Sequence, residues 1–153
     1  MPDDVGVPGY LLWRAANLWQ KRMRLVLAPY GVTPVQYLLL AGLRDIGGAE
    51  SLPVKQAALA RYCQTNPMMT SQVVRALEKA RLVRRQAHAD DGRAFALVLT
   101  SAGTDLLARA EAEIVQADSH FHGPLGPEKE AFGDALRLVS GVRPRRRVKA
   151  VSG

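Results

Sequence analysis

The side chains best suited to binding chemistry are four hydrogen-bonding residues on one predicted helix. Asn66 can cap this helix with its side-chain oxygen, and Pro67 fits its first position, where no backbone N–H is needed. Val73, Val74 and Leu77 recur at helical spacing and predict a buried stripe. The stripe would turn toward solvent four residues that can bond base edges and phosphates: Thr70, Ser71, Gln72 and Arg75.

A basic hairpin is predicted directly after this helix. Residues 82–87 and 94–99 each predict a short strand, and the pair Asp91-Gly92 between them is a strong turn signal. A helix followed by such a hairpin is the outline of a winged helix. Cations along the hairpin suit it to following phosphates or entering a minor groove, and they are Arg84, Arg85 and Arg93.

Three further residues near these elements have open roles. Met68 and Met69 begin the helix, where one could contact a thymine methyl or a sugar while the other packs inward. The sequence does not show which of the two methionines has which role. His88, in the hairpin, is equally consistent with a phosphate contact and with an idle surface position.

The elements that must position this helix and hairpin are themselves mostly helical. A wide apolar face over residues 9–30 predicts a first helix that needs more than one neighbour, which favours a partner subunit over a membrane surface. Gly31 ends that helix, and Thr33 and Pro34 begin a second one that runs to about Arg44. Its predicted inward residues are Val35, Leu38, Leu39 and Leu43.

The connector and the next helix are predicted from glycine and proline positions. Residues 45–50 predict a flexible connector, and Pro53 predicts the start of a helix that ends near Tyr62. The residues available for packing in this helix are Val54, Ala57, Leu59 and Ala60.

Two helices are predicted after the hairpin. Thr100 can cap a long helix that begins at Ser101 and ends near Asp118, residues 123–127 break the chain, and a last helix covers residues 128–140. The predicted inward residues are Leu106, Leu107, Ala110, Ile114 and Ala117 in the long helix, and Phe132, Ala135, Leu136 and Val139 in the last one.

Length, charge and cysteine content narrow the possible classes of function. The chain has 153 residues, 48% of them hydrophobic, which is enough for one good core and too few for two full domains. Its net charge of +7 favours an anionic partner, and residues 61–93 alone carry seven cations against three acids. The acidic start and the lack of a long apolar run predict a cytoplasmic protein that does not enter a membrane, and one cysteine fits a reducing compartment.

Catalytic and metal-binding arrangements are weakly indicated. No hydrolase, phosphate-loop or zinc signature accompanies the three histidines, so the sequence predicts neither an enzyme nor a cofactor. His120 and His122, with Asp118 nearby, could supply metal ligands, although a solvated helix end explains them better. Cys63 is better explained as a small buried hydrophobe than as a redox sensor.

Five short segments share a recognisable order and spacing: Leu59-Ala60, Leu77-Glu78-Lys79, Leu82-Val83, Asp91-Gly92-Arg93 and Leu99-Thr100-Ser101-Ala102-Gly103. Together they resemble the MarR family of winged helix-turn-helix regulators, and the resemblance extends over roughly residues 9–141. It implies a mainly α fold with a small β-hairpin wing, built as a winged helix-turn-helix head plus long N- and C-terminal dimerisation helices.

The resemblance also implies an organisation and some residue roles. One structural domain would comprise an N-terminal dimerisation helix (1–30), a DNA-binding region (31–100), C-terminal dimerisation helices (101–141) and a flexible basic tail (142–153), which would either aid solubility or add phosphate contacts. In the family, the helix matching residues 70–75 lies in the major groove, the arginine matching Arg93 reaches the minor groove, and the aspartate matching Asp91 braces the wing. Arg81 stands where the family usually has glycine, so either its backbone is strained or the helix ends differently.

The implied function is a homodimeric regulator, expected to be a repressor, that binds double-stranded DNA at a pseudo-palindromic operator. A small aromatic effector is a further candidate partner, in a cleft that could be lined by Tyr10, Trp13, Trp19, Tyr30 and Tyr37. Aromatic core packing explains these five residues equally well. Two alternatives stay open, which are a winged-helix protein-interaction module without specific DNA binding and a metal- or thiol-responsive regulator.

Overall fold

The computed structural model describes residues 7–88 and 91–142 and confirms a mainly α fold with a small antiparallel sheet. The helices are α1 (Pro8–Leu27), α2 (Pro34–Gly47), α3 (Gln56–Cys63), α4 (Pro67–Lys79), α5 (Ser101–Phe121) and α6 (Lys129–Val139). The strands are β1 (Val54–Lys55), β2 (Val83–His88) and β3 (Asp91–Leu99). Short 3-10 turns occupy Ala28–Tyr30 and Gly123–Glu128.

The contacts of the chain divide it into two compact units, Met1–Ala117 and Asp118–Gly153. The first unit holds α1 to α4, the sheet and most of α5, and the second holds the end of α5, the second 3-10 turn and α6. The predicted boundaries at residues 30, 100 and 141 separate functional regions, and they stay predictions.

Local chemistry sets the start of α2 as predicted. The Thr33 hydroxyl accepts a hydrogen bond from the backbone N–H of Gln36 at 3.2 Å, and the Gln36 side-chain oxygen accepts one from the backbone N–H of Thr33 at 2.8 Å. This capping box satisfies two N–H groups that the helix itself cannot. Gly31, with φ of 70°, provides the left-handed end of the preceding turn.

The core of the first unit includes residues of α1 to α5 and of the sheet. The stripe predicted for α5 is confirmed, since Leu106, Leu107 and Ala110 are buried while Ile114 and Ala117 are partly buried. The largest fully buried side chains are Met23, Leu27, Leu39, Leu40, Leu59, Thr70, Val74, Leu77, Leu97 and Leu107.

One inward prediction for α2 is wrong. Leu38 is 44% exposed, and Leu40, which was not predicted to be inward, is fully buried. The buried face of α2 follows Leu39, Leu43 and Gly47 at steps of four residues. Because Leu38, Leu39 and Leu40 are consecutive, helical spacing is compatible with more than one choice of buried leucine, and the sequence pattern alone could not decide between them.

The region between α2 and α3 also differs from the prediction. The helix α2 continues to Gly47, so the connector predicted over residues 45–50 begins only at Gly48. Pro53 does not start a helix, because the next two residues form β1 and α3 begins at Gln56. This shift explains why Val54 is buried in a strand and why Ala57, predicted to pack, is exposed.

The sheet has the order β1-β3-β2, with both pairings antiparallel. Val83 pairs with Leu99 at the base of the hairpin and Ala87 with Phe95, and the register then shifts so that His88 pairs with Asp91. The predicted turn at Asp91-Gly92 is misplaced, because both residues belong to β3. The link between the strands, residues 89–90, lies outside the described residues.

In the second unit, α6 begins close to where it was predicted, but part of its predicted inward face is not covered. Phe132 and Leu136 are half-buried, whereas Ala135 is exposed and Val139 is 77% exposed. The described residues of this unit form only the end of α5, a 3-10 turn and α6. Because the unit has so few elements, one side of α6 has no neighbour among its described residues.

Across the described ranges, no single helix is both long and apolar enough to cross a membrane. The segments Pro8–Tyr30 and Pro34–Gly47, bent by 77° at their junction, reach that length and composition only as a pair.

The turn between α4 and β2 resolves the question raised by Arg81. Its φ is 58°, so the strained backbone is the alternative that the structure adopts. The Arg81 N–H donates to the carbonyl of Glu78 at 2.9 Å, and the Leu82 N–H donates to the carbonyl of Leu77 at 3.0 Å. These two bonds form a Schellman motif, the helix ending that normally has glycine at the left-handed position.

The start of α5 packs directly on this turn. The Thr100 N–H donates to the carbonyl of Leu82 at 3.1 Å, and the Thr100 hydroxyl donates to the carbonyl of Arg81 at 2.7 Å. The same hydroxyl accepts the Gly103 N–H at 3.1 Å, which confirms Thr100 as a cap. A Cβ on Gly103 would overlap the Leu82 carbonyl oxygen, so this close approach requires glycine.

We expect Arg81→Gly to raise the free energy of unfolding by about 1 kcal/mol, because glycine adopts a positive φ without the steric penalty of a side chain. Equilibrium denaturant unfolding would measure the change. Arg81→Ala is the matched control, since it removes the same charge but keeps a Cβ at the strained position. Equal stabilisation by both variants would attribute the gain to the removed charge and contradict the backbone explanation.

Candidate nucleic-acid interface

The helix α4 is set in place by its cap and by its buried side. The Asn66 side-chain oxygen accepts the Met69 N–H at 2.7 Å, and Pro67 is the first helical residue, as predicted. Val74 and Leu77 are fully buried, and Val73 packs against the same core. The start and the rotation of α4 are therefore fixed by local hydrogen bonds and by the core.

One of the four residues predicted to face solvent does not do so. Thr70 is 0% exposed, and its hydroxyl lies 2.8 Å from the carbonyl oxygen of Asn66 and 2.7 Å from the Thr65 hydroxyl. The prediction of Thr70 as a DNA contact is therefore wrong. Thr70 precedes Val74 by four residues and Leu77 by seven, so helical spacing places it on the buried stripe, where internal hydrogen bonds satisfy its hydroxyl.

The outer face of α4 is a stripe that we name the exposed stripe, formed by Met68, Gln72, Arg75 and Lys79. These residues follow one another at steps of three or four, so they share one side of the helix, opposite Leu77. Ser71 lies beside the stripe and is half-buried, as is Met69. Lys79 was not among the predicted site residues, although its spacing from Arg75 already placed it on the same face of the helix.

A groove beside α4 adds candidate contacts that the sequence did not single out. It has a volume of about 560 Å³ and lies between α3 and α4, with Arg61, Gln64 and Asn66 among its lining residues. Gln64 ends α3 in a left-handed conformation with φ of 53°, and its side-chain amide donates to the carbonyl of Arg61 at 3.0 Å. The groove brings polar side chains of α3 next to the start of α4.

The two arginines of β2 have different surroundings. The Arg85 Nε lies 2.9 Å and 3.0 Å from the two carboxylate oxygens of Glu78, in the last turns of α4, and both side chains are about one-third exposed. The Arg84 Nη1 donates to the Gln86 side-chain oxygen at 2.9 Å. Successive residues of a strand point to opposite faces, so Arg85 braces the wing against α4 while Arg84 lies on the other face.

The remaining predicted wing residues cannot be placed at the level of side chains. The backbone assigns His88 to β2, and Asp91 and Arg93 to β3. Their side chains lie outside the described part of the structure, and their predicted contacts stay predictions.

The aromatic residues predicted for an effector cleft fall into separate places. Tyr10 and Trp13 line a groove of about 400 Å³ on α1, together with Arg14. Trp19 and Tyr37 are instead partly buried against the core, and burial is the main cause that raises the pKa of Tyr37 above its ordinary value.

Tyr30, which was also predicted to line the effector cleft, has a phenol hydroxyl that is hydrogen-bonded within the protein. Its hydroxyl lies 2.7 Å from a carboxylate oxygen of Glu113 and 3.1 Å from the carbonyl oxygen of Arg109. The bond to Glu113 is the first cause that raises the pKa of Tyr30. The phenol therefore links the 3-10 turn after α1 to α5.

The residues considered for sensing have ordinary structural surroundings. Cys63 is half-buried with its sulfur 3.7 Å from the Leu38 carbonyl, and burial, with a smaller effect of Asp45, raises the pKa of the thiol. A raised pKa disfavours the reactive thiolate. His122 Nδ1 lies 2.9 Å from the carbonyl oxygen of Asp118. Within the described ranges, no three His, Cys, Asp or Glu side chains group closely enough to hold a metal ion.

Comparisons with known proteins agree on one family. The sequence profile of the MarR family matches residues 30–94. The chain is 37% identical to an uncharacterised HTH-type transcriptional regulator of Bacillus subtilis, YdcH, over 130 residues that cover 85% of this chain and 87% of that protein.

Solved structures give the same result. A MarR family protein of Mycobacterium tuberculosis, Rv2887, in complex with salicylic acid, has a TM-score of 0.68 and 31% identity, with 91% of this chain and 99% of that chain covered. A mutant of Escherichia coli MarR complexed with operator DNA has a TM-score of 0.75 and covers 86% of this chain and 91% of its own. At 16% identity, this second likeness concerns the fold alone.

We expect the Glu78–Arg85 pair to show a coupling free energy of about 1 kcal/mol in a double-mutant cycle of alanine variants, because the pair is partly buried and well aligned. Denaturant unfolding of the four proteins would measure it, and added salt should reduce it. Glu78 with Arg84 provides the matched control cycle, with an expected coupling near zero. Equal coupling in both cycles would mean that general charge, rather than this contact, joins the wing to α4.

Proposed function

Because the chain belongs to the MarR family of transcriptional regulators and is not an enzyme, we propose that it is a homodimeric repressor of a pseudo-palindromic operator. The observation that carries the proposal is the exposed stripe on α4. Residues 67–79 contain one acid, Glu78, and it is paired with Arg85. The stripe therefore presents polar and cationic side chains to an anionic partner with little opposing charge.

The dimensions and chemistry of α4 fit a major groove. Thirteen residues give a helix of about 20 Å, and a B-DNA major groove is about 12 Å wide, enough to admit a helix. A Gln side chain can pair with adenine, and an Arg side chain can pair with guanine or a phosphate. We assign Gln72 and Arg75 to base edges or adjacent phosphates, with Ser71 at the border of the contact and Lys79 on the backbone.

The wing is proposed to add contacts beside the major groove. Arg84 would contact phosphates, and Arg93 would enter the minor groove, with His88 as a further phosphate contact and Asp91 as a brace. We assign Arg85 an indirect role, since its pairing with Glu78 supports the angle of the wing.

Exposed apolar side chains support the proposed dimer. Leu25 on α1 is 72% exposed, Leu11, Leu12 and Leu18 on the same helix are also exposed, and Val139 on α6 has no cover either. Apolar side chains exposed in such numbers are typical of surfaces that pack against another chain, and a twofold partner is the commonest solution. Twofold symmetry would place the two α4 helices about 34 Å apart, one turn of DNA.

Release by a small aromatic effector is the proposed regulation. The Mycobacterium tuberculosis relative was crystallised with salicylic acid, and Tyr10 and Trp13 here share a groove with Arg14, a cation suited to a carboxylate. Such a ligand releases DNA only if it binds more tightly to the DNA-free conformation of the dimer than to the conformation in which the two DNA-binding regions are spaced for the operator. Binding to the operator would also place the protein in the cytoplasm.

We expect the purified protein to protect a twofold-symmetric site in its own upstream DNA, more weakly as salt is raised. Gln72→Ala or Arg75→Ala should cost roughly 1–3 kcal/mol, about 5- to 150-fold in affinity, because each removes a side chain able to form two hydrogen bonds with one base. Arg75→Lys is the matched control, because it keeps the charge but not the planar fork. Only salt-sensitive smearing, without a protected site, would favour a protein-interaction module.

We expect Arg93→Ala to weaken binding to all sequences similarly and to lower the salt slope by about 0.9 for each phosphate that the variant no longer neutralises, because a wing cation acts mainly on the backbone. Titrations at several salt concentrations on the operator and on unrelated DNA would measure both effects. Unchanged affinity and slope would remove Arg93 from the interface.

A further inference from the structure

Met68 is an exposed apolar side chain on the helix proposed to bind DNA. It is 75% exposed, whereas Val74 and Leu77 of the same helix are fully buried and Met69 is half-buried. The structure thus separates the two methionines: Met69 packs partly inward and Met68 faces solvent. Exposure of a large apolar side chain is unfavourable in water, so a partner surface that covers it would be stabilising.

The position of Met68 on α4 directs it to the same partner as the polar residues. Gln72 and Arg75 follow it by four and seven residues, so the three share one face, and Leu77 lies on the opposite side. The bond between the Asn66 side chain and the Met69 N–H, at 2.7 Å, fixes the first turn that carries Met68. In a helix-turn-helix, the N-terminal residues of the recognition helix are those that contact base edges.

The chemistry of methionine restricts what it can recognise there. Its thioether has no hydrogen to donate and is a weak acceptor, so it is poorly suited to phosphates or to the polar edges of bases. The apolar group that B-DNA presents in the major groove is the C5-methyl of thymine. A flexible, unbranched and polarisable side chain packs well against such a small group.

We propose that Met68 reads a thymine C5-methyl group in each half of the operator. The inference rests on the proposed function and deepens it, since it names the chemical group that one exposed side chain selects. Met68 then provides apolar readout at one base pair, next to the polar readout by Gln72 and Arg75.

The test replaces thymine by deoxyuridine at each symmetric pair of positions in the protected site, which removes the methyl and leaves the hydrogen-bonding edges intact. At one of these positions, the replacement in a single half-site should lower the affinity of the unaltered protein about fourfold, the factor that corresponds to burial of one methyl-sized group. Replacement in both halves should lower it about fifteenfold.

Variants then assign the effect to Met68. Met68→Ala should bind the thymine and deoxyuridine sites equally, whereas Met68→Leu, which keeps an apolar side chain, should retain most of the discrimination. Gln72→Ala is the matched control, because it should lower affinity but preserve the ratio between the two sites. Each variant is first shown to unfold like the parent protein, which is expected for an exposed position.

The outcomes separate this proposal from the proposed function. A protected site that binds equally well with deoxyuridine at every position would overturn the role of Met68 and leave the regulator intact. Discrimination that persists in Met68→Ala would assign the methyl to another residue. The absence of any protected site would overturn both proposals.

Discussion

The arrangement of α4, the wing and the start of α5 depends on one left-handed backbone turn at Arg81. The carbonyl groups of this residue and of Leu82 receive the hydroxyl and the N–H of Thr100. The missing side chain of Gly103 lets α5 approach closely enough for these bonds to form. The end of α4, the first wing strand and the start of α5 therefore meet at one set of backbone hydrogen bonds. A non-glycine residue at the strained position suggests that these contacts outweigh the cost of the conformation.

The cations of the DNA-binding region differ in whether an internal ion pair holds them. Arg85 is held by Glu78 and joins the wing to α4, whereas Arg75 and Lys79 lie on the exposed stripe. A net charge indicates the sign of the partner but not which cations can reach it. In this protein Arg75 and Lys79 are aligned along one helix face, and a groove lined by phosphates can bind cations in this arrangement.

Each face of α4 carries one residue of the type expected on the other face. A polar residue, Thr70, lies on the buried face, and an apolar residue, Met68, lies on the exposed face. A threonine is fully buried because two neighbouring oxygens satisfy its hydroxyl, and Met68 is exposed because it lies on the side of α4 opposite the buried Leu77. Departures of this kind tend to occur at functional sites, where a surface is selected for its partner as well as for stability. The polar residue inside supports the helix, and the apolar residue outside is the one that we propose reads DNA.

The sequence by itself determined the features that depend on neighbours along the chain. The caps at Thr33 and Asn66, the end at Gly31 and the stripe of α5 follow from bonds and periods that span a few residues. Only the tertiary structure decided which leucine of α2 is buried, where α3 begins after β1, and that Arg85 pairs with Glu78. Each of these outcomes depends on surfaces or strands that come together through the fold, and local sequence patterns do not encode which partner a residue will meet.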